Sequence, residues 1–256
     1  MDWQAYDHYL YAAGALLGTF AGAGALLVVL GARRWSGAVA GMAGVVPPFI
    51  NVLGVLFGLT LAFLANDTWN AHDRALAAVN READALHALV VLAGHLPAAD
   101  AARVDGAVRD YARAALAEWP MLARRSASPL AAQEADRLLS VLSDPRLAAV
   151  GGAAAGAQDI ALALAVRDAR ETRLALSQTH VNPLKWAGMA VLGFLTMVSV
   201  AVVHVGSPRA MRVAVVLFAL ASAPTAVIVL VHGNPFQPPA AISAAPLAAV
   251  LTGASS

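Results

Sequence analysis

Residues 47–66 read PPFINVLGVLFGLTLAFLAN, a stretch without a single Asp, Glu, Lys or Arg. As an α-helix this stretch is about 30 Å long, the thickness of the hydrocarbon layer of a bilayer. The chain has four charge-free runs of this kind, at residues 9–32, 35–66, 186–208 and 213–231. Because each run is long enough to cross a membrane, the sequence predicts four membrane helices, near 9–32, 47–66, 186–205 and 213–231.

The composition supports a membrane protein and excludes several other classes. At 59% apolar and 13% charged residues, the chain is too apolar for an ordinary soluble domain. The net charge of +1, without a basic stripe, argues against nucleic acid as a partner. The absence of cysteine excludes disulfides, thiolate nucleophiles and Cys-ligated metals. No basic residue precedes Arg33, so we expect the first helix to be retained rather than cleaved as a signal peptide.

The charged residues are concentrated in the middle of the chain, at 67–183. A heptad-like pattern follows residue 67, in which Trp69, Leu76, Ala83 and Val90 alternate with His72, Val79, Leu86 and Ala93. No proline interrupts residues 49–94. The second membrane helix is therefore predicted to continue out of the membrane as one rod of roughly 45 residues.

Further helices are predicted from about residue 100 to Pro120, at 130–142, at 145–150 and at about 157–181. In the last of these, Ile160, Leu164 and Leu174 are expected to pack inward, with Arg170 and Arg173 elsewhere on the helix.

These patterns predict an all-α protein with four transmembrane helices and an inserted helical domain. The expected divisions are an N-terminal membrane helix pair at 1–66, a helical extramembrane domain at 67–183, a C-terminal membrane helix pair at 184–232, and an uncharged tail at 233–256 that is too irregular to span a membrane.

One face of the second membrane helix is small and polar. At 100° per residue, a single arc of about 120° holds Asn51, Gly54, Val55, Gly58, Ala62, Ala65 and Asn66, while Phe49, Leu53, Leu56, Phe57, Phe63 and Leu64 lie outside it. One interpretation is a tight seam between helices, with the asparagines donating interhelical hydrogen bonds. The other is a narrow pore with polar ends and an apolar middle.

No residues form a recognisable catalytic or metal site. The glycine, serine and histidine motifs of nucleotide-binding proteins, hydrolases and zinc proteases are absent, so we expect no enzymatic activity. Asp84 and His87 have the spacing of half a metal site, but no second such pair exists; we therefore predict no metal and no other cofactor. The charge-free runs also lack the ionisable groups that pumps use.

The basic residues of the short loops predict an orientation. Arg33, Arg34, Arg209 and Arg212 flank the membrane helices, whereas the terminal segments carry no Lys or Arg. The positive-inside rule favours these loops in the cytoplasm, which would put residues 67–183 outside.

Several segments resemble the bestrophin-like domain family of bacterial membrane proteins. They are Phe57-Gly58-Leu59 with Leu61-Ala62-Phe63 and Trp69; Glu82-Ala83 with Ala85-Leu86; Tyr111 with Glu118-Trp119-Pro120; and Asn234-Pro235-Phe236 with Ile242-Ser243 and Pro246-Leu247. The chain departs from the family's pattern at Gly233, where an acid is expected, and at Pro238, where a glycine is expected.

The resemblance implies a multi-pass protein of the cell (inner) membrane that forms a homo-oligomeric passive anion channel, with the second membrane helix lining the pore. Its partners would be the lipid bilayer, further copies of the chain and small anions. It also implies a cytoplasmic helical domain, contrary to the loop charges. The alternative is a membrane-anchored helical scaffold or sensor that transports nothing.

Overall fold

The computed structural model describes residues 3–32, 41 and 46–253, and this part of the chain is helical without any strand. The predicted all-α fold class is confirmed. After a 3₁₀ turn at Trp3–Tyr6 come nine α-helices in the described residues: α1 Asp7–Gly31, α2 Pro47–Ala93, α3 Ala98–Leu122, α4 Pro129–Leu142, α5 Pro145–Gly151, α6 Ala153–Ser177, α7 Pro183–Val203, α8 Pro208–Val231 and α9 Ala245–Thr252.

Four helices, α1, α2, α7 and α8, are long and apolar enough to cross a membrane, as predicted. Proline begins three of them, at a position where its missing N–H breaks no intrahelical bond. Asn182 caps α7 by accepting hydrogen bonds from the amides of Leu184 and Lys185. The predicted rod is also confirmed, because α2 runs uninterrupted for 47 residues.

The chain divides into two compact units. The membrane unit contains the described residues up to Trp69 together with His180–Gly233, and the helical unit contains Asn70–Thr179 together with the described residues from Asn234 onward. The uncharged tail thus belongs to the helical unit. Arg33 and Arg34, on which the predicted orientation partly depends, lie outside the described residues.

In the membrane unit, α1 packs along α8, and α7 packs against both. The packing is close because the contacting residues are small or flexible: Ala23 of α1, Met197 and Ala201 of α7, and Val215 and Ala219 of α8 form one buried cluster. Phe57 of α2 lies against α7, where a Cβ on Gly193 would come within 2.9 Å of its ring. Gly193 therefore permits this approach.

The core of the helical unit is built on one stripe of α2, whose buried members are Ala75, Val79, Glu82, Leu86, Leu89 and Ala93. Both halves of the heptad pattern are partly buried: the stripe contains Val79, Leu86 and Ala93 from one half, and Ala83 of the other half is buried as well. Trp69 and Leu76, from the other half, are 56% and 42% exposed. The stripe packs against α3, where Val104, Val108 and Tyr111 are buried in the same cluster.

The predicted inward face of α6 is only partly observed: Leu174 packs against a buried cluster that contains Val79 and Leu122, but Leu164 does not pack inward. Leu164 is 50% exposed, whereas Arg173 is fully buried and Arg170 is nearly so. The buried residues of α6 include Ala163, Val166, Ala169 and Ser177, so the helix packs through small residues and its two arginines. Apolar spacing missed part of this face because its buried positions are mostly small residues and arginines rather than large apolar side chains.

The tail folds back onto α3 within the helical unit. Helix α9 packs along α3 and buries Leu247, while the segment before α9 buries Phe236 and Ile242. Asn234 anchors the start of this segment, because its Nδ2 donates to the carbonyl of Ser177 at 3.1 Å and its Oδ1 accepts from the amide of Phe236 at 2.9 Å.

Candidate functional site

The predicted site residues on α2 are largely uncovered by the rest of the described chain. Asn51, Gly58, Ala62 and Asn66 are exposed, and Gly54 is half-buried. A Cβ added to Gly54 or Gly58 would meet nothing within 4 Å. We call the surface formed by these five residues the small-residue face.

A strip of the same helix is packed, and it includes Ala65, which lies within the same arc as the small-residue face. Leu61, Leu64 and Ala65 are each less than one tenth exposed, and they contact Met189 of α7 and Val229 of α8. Helix α2 therefore packs within the chain along this strip and leaves the rest of its membrane part uncovered, including large side chains such as Val55, Leu59 and Phe63. A seam at Gly54 and Gly58 would need a partner helix from a second copy.

The Asp84 and His87 pair gains no further ligand in the structure. Both residues are exposed on α2. Within the described residues, no group of three or more His, Asp or Glu side chains is placed to hold a metal ion.

A second site, which sequence reasoning did not identify, lies in the interior of the helical unit. This site is a buried charge centre, in which two negative and two positive charges cancel. It consists of Glu82 of α2, Glu118 of α3, and Arg170 and Arg173 of α6. Arg173 donates from Nε to Glu82 Oε2 at 2.9 Å and from Nη2 to Glu82 Oε1 at 3.1 Å. Its Nη2 also lies 3.3 Å from Glu118 Oε2. The side chains of Glu82, Glu118 and Arg173 are all fully buried.

Arg170 completes the centre through Glu118. Its Nη2 and Nε donate to Glu118 Oε1 and Oε2 at 2.6 and 3.2 Å, a bidentate arrangement that suits a planar guanidinium. Glu118 Oε1 also accepts from the amide of Ser128 at 2.8 Å, and Ser128 in turn caps α4. Three helices and the start of a fourth are thus joined by charged hydrogen bonds.

Aromatic side chains enclose the charges. The Arg173 guanidinium lies 5.2 Å from the centre of the Trp119 ring, within the range of a cation–π interaction. Trp119 donates from Nε1 to the carbonyl of Ile242 at 3.1 Å, and its ring meets that of Phe236 edge to face at 5.5 Å. Tyr111 donates to Glu82 Oε1 at 2.5 Å.

The surroundings shift the pKa values of Tyr111 and Arg173 upward. Burial, reinforced by the negative charge of Glu82, raises the pKa of Tyr111 well above its ordinary value, so the phenol remains a donor. Burial alone would lower the pKa of Arg173, but the carboxylate of Glu82, with Tyr111 and Glu118, outweighs it and the pKa is raised. The centre is a fixed electrostatic clamp, closed to substrates.

The sequence does contain a signal for this centre. Glu82 occupies an inward position of the stripe from Ala75 to Ala93, where an acid requires a buried cationic partner. Arg170 and Arg173 are three residues apart and therefore share one face of α6, where they are available as partners. Segments that resemble the bestrophin-like family meet here as well: Glu82, Tyr111, Glu118, Trp119 and Phe236 all belong to the centre or its aromatic shell.

Comparison with known proteins agrees with this convergence. The family model described as "Bestrophin-like domain" matches residues 18–247. Neither the curated proteins nor the solved structures contain a match to the chain. Because the family match covers nearly the whole chain, from α1 to α9, and the fold supplies four apolar membrane-length helices, the protein belongs to the bestrophin-like family of membrane proteins.

Proposed function

We propose that this protein is a homo-oligomeric passive anion channel of the cell (inner) membrane, with no enzymatic activity, and that the small-residue face of α2 lines its pore. The observation that supports the proposal is that Asn51, Gly58, Ala62 and Asn66 are exposed on a helix long and apolar enough to cross a membrane.

Exposure of this face to lipid would be unfavourable. Asn51 and Asn66 carry amide groups that cost free energy in hydrocarbon unless they find hydrogen-bonding partners. In a ring of copies whose α2 helices surround the axis, the asparagines would hydrogen-bond to water and to one another. The intervening Gly58 and Ala62 would form a narrow apolar stretch of the kind that gates by dewetting.

The charges near this face are compatible with anions. No acid lies on the face itself, and Asp67, which follows it, is ion-paired with Lys185 at 3.0 Å. Asparagine amides supply N–H donors, which suit an anion that has lost part of its water. The charge-free runs hold no Asp, Glu, Lys or Arg that could couple flux to protons, which favours passive transport.

A second candidate is a scaffold or sensor without transport. It is supported by the continuity of α2, which is one helix from Pro47 to Ala93 and carries Glu82 of the buried charge centre. A helix clamped in this way can transmit a change at one end to the other without any pore.

Gly58→Leu distinguishes the two candidates. Purified protein in liposomes should conduct chloride, and the variant should lower the flux by roughly tenfold or more because a leucine at each copy would obstruct a narrow apolar stretch. The substitution should not unfold the helix, since leucine favours helix over glycine by about 1 kcal/mol. Chloride flux is measured with a halide-quenched dye inside the liposomes, and oligomer size is measured by light scattering.

The matched control is Gly188→Leu, because Gly188 is an exposed glycine of α7 whose added Cβ also meets nothing within 4 Å. It should conduct normally. Normal flux through an intact Gly58→Leu oligomer would contradict the pore, and loss of the oligomer would identify the face as a seam between copies. No chloride flux from a verified wild-type oligomer would favour the scaffold.

Ala127→Cys tests the orientation predicted from the loop charges. Ala127 is exposed in the helical unit, and the chain has no other cysteine. We expect a membrane-impermeant thiol reagent to label the variant in intact spheroplasts. Labelling that requires lysis would instead place the helical unit in the cytoplasm, as the family resemblance implies.

A further inference from the structure

The membrane unit contains an apolar groove with a volume of about 830 Å³, bounded by α1, α7, α8 and one ring of α2. The residues that define its shape are Tyr11, Gly14, Gly18, Trp186, Met197 and Phe218. Of the polar side chains on its wall, Ser222 already donates to the carbonyl of Phe218 at 2.8 Å. The groove therefore presents little that would hold water.

The length of the groove matches one leaflet of a bilayer. Its lining extends along α7 from Pro183 to Met197 and along α1 from Leu10 to Thr19. At 1.5 Å per residue these stretches are about 21 and 14 Å long, close to half of a hydrocarbon layer of about 30 Å. The groove thus begins where α1 and α7 begin and ends near the midplane.

The two ends of the groove differ in chemistry. Tyr11 and Trp186 lie at the end where α1 and α7 begin, and both are side chains that favour the boundary between headgroups and hydrocarbon. Met197 and Phe218 line the deeper end and are apolar. Gly14 and Gly18 widen the wall between them, since a Cβ on either would meet nothing within 4 Å.

We infer that one acyl chain of a membrane phospholipid occupies this groove, entering from the leaflet at which α1 and α7 begin. A membrane helix from a second copy fits the groove poorly. Such a helix is about 10–12 Å across and would need a path through both leaflets, whereas the groove stops halfway. This inference does not depend on the proposed channel, because it concerns a different surface of the unit.

The test fills the groove at its widest part. In the double variant Gly14→Leu with Gly18→Leu, two side chains would take the space of the acyl chain. The phospholipid that remains per chain after purification in mild detergent, measured by native mass spectrometry, should fall by roughly tenfold. The matched control is Gly24→Leu, because Gly24 is an exposed glycine of α1 that does not line the groove and has equal room for a Cβ.

A second measurement uses the wild-type protein. Phosphatidylglycerol brominated on its acyl chains is titrated into detergent-solubilised protein, and tryptophan fluorescence is recorded. Quenching should saturate near one lipid per chain. The Trp186→Phe variant should lack this saturable component of the quenching. Equal lipid retention by the double variant and Gly24→Leu, or quenching that rises without saturation, would overturn the inference. Loss of the oligomer in the double variant with wild-type lipid retention would identify a second copy as the occupant and overturn it too.

Discussion

Replacing Arg173 by leucine is expected to lower the free energy of unfolding of the helical unit by about 3–5 kcal/mol, the range for removing one partner from a buried ion pair. Arg173 contacts both Glu82 and Glu118, and all three side chains are fully buried. Without the guanidinium, Glu82 keeps only the hydrogen bond from Tyr111 among the polar contacts described here. Leucine cannot compensate for the charge that is left.

Thermal unfolding in detergent, followed by circular dichroism at 222 nm, measures this loss. At roughly 2–4 °C per kcal/mol for a chain of this length, the midpoint should fall by about 6–20 °C. The control is Arg137→Leu, which removes an exposed guanidinium that pairs with Asp110 and Glu134 at 3.4 Å and should cost at most about 1 kcal/mol. A midpoint for Arg173→Leu equal to that of Arg137→Leu would show that the charges of the centre do not stabilise the unit.

The sequence predicted the fold well because the membrane imposes a strong length rule. A run without charge must reach about 20 residues to cross the hydrocarbon layer, and four runs of that length leave little choice of architecture. The rod of α2 was also predictable, since no proline interrupts residues 49–94 and the observed helix ends at Ala93. By contrast, Pro120 did not end α3, which continues to Leu122; a proline near a helix end breaks few bonds.

The interior of the helical unit was less predictable because charge and burial oppose each other there. Charged residues are rarely buried without a partner, so Arg170 and Arg173 were assigned away from the packed face of α6. The partners, Glu82 and Glu118, lie 91 and 52 residues away along the chain from Arg173 and Arg170, respectively. No local pattern reveals a pairing of that separation.

The small-residue face illustrates a different limit. Its residues could be found from periodicity alone, and the structure leaves them uncovered within one chain. The assembly decides whether these residues line a pore or pack against a second copy. The surfaces that form the assembly cannot be inferred from the sequence pattern of one helix. The face therefore stays a prediction that Gly58→Leu tests.

The family resemblance implies an acid at position 233, and the structure gives a physical reason why this chain has glycine there. A Cβ at this position would overlap the imidazole of His8, which is 4% exposed. The nearest ring atoms include Cγ, so a rotation of the outer ring alone would not make room. An acid at 233 and a histidine placed as His8 is here therefore exclude each other, and a chain with the acid must place a different side chain in this space.

Gly233→Ala is accordingly expected to destabilise the membrane unit by about 1–3 kcal/mol, the usual cost of overpacking. The backbone should not contribute, because Gly233 does not have a positive φ angle. In a His8→Ala background the space is free, so the same substitution should cost less than about 0.5 kcal/mol, and the double-mutant cycle should show a coupling of similar size to the single cost. Thermal unfolding of the four proteins in one detergent provides the cycle. Equal costs in both backgrounds would mean that the His8 imidazole does not occupy the space beside Gly233, and the explanation for the departure from the family's pattern would fail with it.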